Sequence, residues 1–121
     1  MIMINKILIP LTAIFVGANA APLNAGQDKL QLHDQLGKPY EVVRAALIKA
    51  KNLPLSQTND PNRWCFANEE KCSKYQEISS CANSDQNPCR FEWRSKNGRR
   101  FFVVTTGENV EHLVVRNIGY E

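Results

Sequence analysis

Four cysteines, Cys65, Cys72, Cys81 and Cys89, fall within a stretch of 25 residues and constrain this chain more than any other feature. An even set of closely spaced cysteines in an oxidising compartment reads as a disulfide framework. Four cysteines are also a zinc ligand set, but structural zinc favours pairs two to four residues apart. Here the gaps are six, eight and seven residues. Two disulfides are therefore expected and no metal. Of the three connectivities open to four cysteines, sequential pairing of Cys65 with Cys72 and Cys81 with Cys89 closes the shortest loops, although sequence alone does not decide between them.

The N-terminus supports the oxidising compartment. Lys6 precedes an apolar run from Ile7 to Val16, and Ala18-Asn19-Ala20 supplies a small-residue site. A positive start, an apolar segment of about 7–15 residues and an A-x-A ending make a secretory signal peptide, too short for a membrane span. The sequence thus predicts residues 1–20 as a signal cleaved near Ala20, residues 21–36 as a flexible leader, and residues 37–121 as one domain in the periplasm or outside the cell. After cleavage the chain carries 14 basic and 12 acidic residues, a balance too near neutral to argue for nucleic acid. No later run suggests an integral membrane segment.

Two parts of the domain are patterned. Pro39 suits the first helical position, Glu41 the positive end of the helix dipole. Tyr40, Val43, Leu47 and Ala50 recur at helical spacing, with Val42 and Ala46 widening the stripe, and the helix should stop before Pro54. Further on, Cys89-Arg-Phe-Glu-Trp-Arg-Ser95 alternates, Asn97-Gly98 is the favoured pair for a two-residue turn, and Arg100 to Thr105 is a β-rich return. A two-residue turn opposes Trp93 to Phe102, Phe91 to Val104 and Cys89 to Thr106 on a core-facing side. The other face is then cationic with embedded apolar residues: Arg90, Arg94, Lys96 and Arg99 beside Phe101 and Val103. Gly107-Glu108-Asn109 makes another turn, and Val110 to Ile118 returns as a strand whose register is open. The expected fold is α+β, one main helix on an antiparallel meander of three strands, or four if Tyr75 to Ile78 joins, with a disulfide-stapled loop region between.

Catalytic constellations are missing. His33 and His112 belong to no metal motif, no serine sits in a nucleophile elbow, no C-x-x-C redox pair exists, and Glu69-Glu70 reads as a solvated pair in a loop. What remains is a surface for another envelope or secreted protein, with no cofactor: Arg90, Arg94, Lys96, Arg99, Phe101 and Val103, since Arg beside exposed aromatics is the composition of interface anchors. Trp64, beside the first cysteine, is a second candidate, its ordinary reading being a core plug on the disulfide. An enzyme using His112 and a small-ligand domain are the alternatives.

The run Gly37-Lys-Pro-Tyr-Glu-Val-Val-Arg-Ala-Ala-Leu-Ile48, the spaced cysteines, and Cys89-Arg-Phe-Glu-Trp-Arg with Asn97-Gly-Arg-Arg-Phe-Phe-Val-Val-Thr105 resemble a group of small uncharacterised exported proteins of proteobacteria. That resemblance implies a periplasmic address and paired cysteines, and brings no catalytic residues. Gly37 and Val43 also match the helix start of β-lactamase-inhibitor and outer-membrane-assembly lipoprotein modules, a likeness of fold that lacks the lipobox Cys.

Overall fold

Helix α1 (Tyr40–Lys49) buries Tyr40, Val43 and Leu47, positions i, i+3 and i+7 of one stripe. Val42 and Ala46, expected to widen the stripe, face outward instead. Pro39 lies one position earlier than predicted, as the N-cap with φ −61° and ψ 140°, because its backbone is committed to an extended bridge with Val114. At the other end Lys51 takes a left-handed φ of 74°, and Asn52 N–H donates to Leu47 O at 3.0 Å, closing the last turn before the chain enters β1 (Leu53–Pro54).

These elements belong to a computed structural model that describes residues 32–121. The predicted signal peptide and residues 21–31 of the leader lie outside the described residues. Residues His33–Glu121 form one compact unit. It continues through α2 (Glu69–Lys74) and four further strands, β2 (Ile78–Cys81), β3 (Cys89–Arg94), β4 (Arg100–Thr106) and β5 (Val114–Tyr120). The fold is α+β. Its antiparallel sheet has five strands, in the order β1-β3-β4-β5 with β2 also paired to β3. The expected extra strand at Tyr75 to Ile78 is thus displaced to Ile78–Cys81, and Leu53–Pro54 adds another where the sequence marks only the end of the helix.

The hairpin register differs from expectation by one residue. Cys89 faces Thr105, Phe91 faces Val103 and Trp93 faces Phe101. The turn holds three residues, Lys96 to Gly98: Ser95 N–H donates to Arg99 O at 2.7 Å and Gly98 N–H to Ser95 O at 2.8 Å. A two-residue type I′ turn needs positive φ at both central residues, and here only Gly98 has it, at 94°. One extra residue in the turn reverses which β4 side chains face inward. Phe101 and Val103 are fully buried with Phe91 and Trp93. They form part of the core under α1, together with Val115, Ile78 and Tyr75, and do not lie among the arginines.

After β4, Gly107 takes a φ of 139°, and a Cβ there would lie 2.5 Å from His112 O. The close approach is to a 3₁₀ turn, Val110–His112, where a continuous strand was expected, so β5 begins only at Val114. Segment 37–40 covers the outer edge of β5, with Gly37 N–H donating to Val115 O at 2.7 Å and Tyr40 N–H to Leu113 O at 2.8 Å. Such cover shortens the edge open to pairing with other chains.

Two disulfides join Cys65 to Cys72 and Cys81 to Cys89, and no described cysteine is free. The second links facing residues of β2 and β3. The first ties the 55–68 loop to α2, a helix of six residues too short to persist on its own. Glu69 and Glu70, expected in a loop, occupy its first turn and Lys74 its last, matching the helix dipole. Lys71 is buried and its ammonium donates to Gly107 O at 2.7 Å, and burial pulls its pKa down. No helix among the described residues is long and apolar enough to cross a membrane.

Candidate functional site

A side chain that enters the interior turns its neighbours in an extended segment the other way. Cys65 is drawn towards the buried Cys72, and the aromatic residues on either side of it are the most exposed rings among the described residues. Trp64 is 57% exposed and Phe66 63%. Their ring centroids lie 6.1 Å apart at an interplanar angle of 40°. The reading of Trp64 as a plug on the disulfide is therefore overturned. Phe66 was missed: it lies in the turn from Cys65 to Asn68, closed by Asn68 N–H donating to Cys65 O at 2.7 Å, and no Gly or Pro marks that turn in the sequence.

The backbone beneath this pair is restrained from several sides. Trp64 N–H donates to Ser79 O at 3.1 Å and Trp64 O accepts from Cys81 N–H at 2.9 Å, a parallel bridge to β2. The Arg63 guanidinium donates to three carbonyls, Ile78 O at 2.7 Å, Cys72 O at 2.9 Å and Tyr75 O at 3.2 Å. These are charge-assisted bonds, stronger than neutral ones, and they fasten the loop to both α2 and β2. On the far side Asn68 Nδ2 donates to Phe66 O at 3.1 Å and Glu69 Oε2 accepts from Ala67 N–H at 3.2 Å, while Ala67 holds a φ of 65°. A non-glycine residue in that region costs about 1 kcal/mol or more. Leaving two rings in water forgoes roughly 2 kcal/mol of burial each. Single exposed apolar residues are ordinary; here two such rings stand close together on one strained and heavily bonded loop.

The predicted hairpin patch is not assembled. Phe101 and Val103 are in the core, for the reason of register given above. Arg90 is drawn into a network on the back of the sheet, 2.8 Å from Glu92 and 2.9 Å from Glu121, with its guanidinium 4.1 Å from the centroid of Phe102. Arg100 joins the same two carboxylates at 3.8 and 3.6 Å. Arg94, Lys96 and Arg99 are exposed, and Arg99 stacks 3.8 Å above the Tyr120 ring. The cations are present, then, but partly neutralised and without the apolar partners expected beside them.

His112 sits exposed on the 3₁₀ turn, not on a strand. Among the described residues no group of three or more His, Cys, Asp or Glu side chains could hold a metal ion. A cavity of about 550 Å³ runs between α1 and Tyr75, with Ile48 and Ala45 on its apolar side and Glu41, Arg44, Lys49 and Lys74 around it. No family model, curated protein or solved structure matches the chain.

Proposed function

We propose that this chain is a periplasmic or secreted protein-binding module, of inhibitor, immunity or envelope-assembly accessory type, that docks through Trp64 and Phe66 and catalyses nothing. Export through the signal peptide, cleaved near Ala20, delivers it to a compartment in which both disulfides persist, a setting that two bridges in so small a domain favour. The observation that carries the reading is the exposed aromatic pair on an immobilised loop. Trp is the residue most enriched at interface hot spots, and a loop ordered in advance spares the entropy of ordering it on binding.

The test is capture from a periplasmic extract on the wild-type domain and on Trp64→Ala/Phe66→Ala in parallel. The reading predicts a stoichiometric partner that the variant, unchanged in melting temperature, binds at least roughly 30-fold more weakly. A partner held equally by both proteins would reject it. A second reading, a small-ligand domain, is supported by the cavity beside Tyr75, whose volume falls in the range of ligand sites. Lys49→Glu/Lys74→Glu separates the two, since it alters that cavity and leaves Trp64 and Phe66 untouched.

A further inference from the structure

Directly after Phe66 the chain turns into the wall of a second cavity, about 380 Å³, lined by Ala67, Asn68, Ser84, Asp85 and Glu108 among others. Among the described residues its charged lining consists of the two acids, both exposed. Glu69 faces Ala67 N–H beside it. Lys71, whose ammonium donates to Gly107 O at 2.7 Å, offsets part of the Glu108 charge, while the cavity lining itself carries no cation among the described residues. The domain as a whole is slightly basic, so this acidic corner runs against the general charge of the chain.

We infer that the partner presents a cationic amphipathic segment, whose Lys or Arg side chains enter the acidic corner while its apolar face covers Trp64 and Phe66. The inference rests on the docking reading above and adds the chemistry of the partner. Three features select the same occupant. An exposed indole face attracts ammonium and guanidinium groups. Asp85 and Glu108 complement a cation, and complementary potentials steer association and reject the wrong partner. Lys and Arg carry apolar stems that can lie along Phe66 while the charged end stays hydrated. An acidic segment would meet like charge at the same spot, and so would an anionic lipid surface.

A random dodecapeptide library selected on the full chain, with counter-selection on Trp64→Ala/Phe66→Ala, tests this. The expected result is enrichment of Lys or Arg next to aliphatic or aromatic positions, with affinities that fall roughly fivefold or more in Asp85→Asn/Glu108→Gln and weaken as salt is raised. Peptides that need Trp64 and Phe66 but carry no excess of cations, or that ignore Asp85→Asn/Glu108→Gln, would overturn the cationic partner and leave the docking surface standing. A library that yields no binder dependent on Trp64 and Phe66 would count against both. Emission of Trp64 that shifts on phosphatidylglycerol vesicles would reassign the surface to lipid and overturn the inference.

Discussion

The Tyr40 hydroxyl donates to Glu77 Oε2 at 2.7 Å, joining the first turn of α1 to the segment that enters β2. The same carboxylate oxygen accepts from Arg44 Nε at 2.7 Å, and Trp93 Nε1 donates to the Tyr40 oxygen at 3.2 Å. Helix, loop and sheet thus meet at one carboxylate that is only 2% exposed.

Glu77→Gln keeps the shape and removes the charge that the other groups answer. Because Arg44 retains access to water, its side chain being 33% exposed, the cost falls below that of breaking a fully buried pair: about 2 kcal/mol, rising to about 3 kcal/mol for Glu77→Ala, which also orphans the Tyr40 hydroxyl. Urea unfolding followed by circular dichroism measures both. Values within 0.5 kcal/mol of wild type would mean that the network does not join the helix to the sheet.

Alkaline pH tests the same corner. Burial, then the nearby Glu77 charge and the hydrogen bond to it, raise the Tyr40 pKa well above its ordinary 10.0, and burial raises that of Tyr75. Above pH 10 the unfolded chain loses these protons before the folded chain does, so stability is intact below that point and falls as pH rises beyond it, by at most about 1.4 kcal/mol per unit for each group until its raised folded pKa is reached. Lys71, whose folded pKa is lowered from 10.5, acts in the opposite sense: it adds stability as pH rises towards that value. Unfolding free energies across this range should show a decline above pH 10 that is shallower in Tyr40→Phe. An equal slope in both proteins would contradict the assignment.

Phe101 and Phe102 distinguish the two hairpin registers. With Trp93 opposite Phe101, Phe101→Ala empties a fully buried site and costs about 3–4 kcal/mol. Phe102→Ala removes a half-exposed ring between Arg90 and Gly119 and costs about 1 kcal/mol. The reverse order in denaturant melts would restore the two-residue turn.

That contrast also marks how far the sequence was legible. The period of Tyr40, Val43 and Leu47 exposes the helix, and the alternation of β3 with Asn97-Gly98 exposes the hairpin, because each pattern repeats over many residues. The register hung on one backbone angle at Asn97, which composition does not encode, and it decided whether Phe101 and Val103 were surface or core. Helix α2 was invisible because six residues are too few to show a helical period, and what holds it is the neighbouring Cys65–Cys72 bridge and a bond from Lys71 to the distant Gly107. Trp64 was legible as a candidate and its exposure was not, since that follows from the three carbonyls that hold Arg63.

The two bridges should fail differently. Cys81 and Cys89 are both about 1% exposed and pair across the sheet, so Cys81→Ala/Cys89→Ala should cost about 3 kcal/mol, from the freed unfolded chain and the vacated core. Cys65→Ala/Cys72→Ala should cost less, since Arg63 and the β2 bridge still hold Trp64, yet it should loosen the turn that carries Phe66 and weaken docking. Calorimetric melting with peptide binding measures both effects. Equal stability losses, or docking unaffected by opening the first bridge, would contradict this division.

The Trp64 indole stands in water on a loop bonded to both α2 and β2, while Trp93 is sealed at 0% exposure. Acrylamide quenching of the wild-type protein, read together with steady-state anisotropy, tests this claim directly. Two emitting populations are predicted, one readily quenched yet as slow to reorient as the whole domain and absent from Trp64→Phe, the other protected until the chain unfolds. A single protected population, or an accessible indole tumbling freely, would contradict the claim.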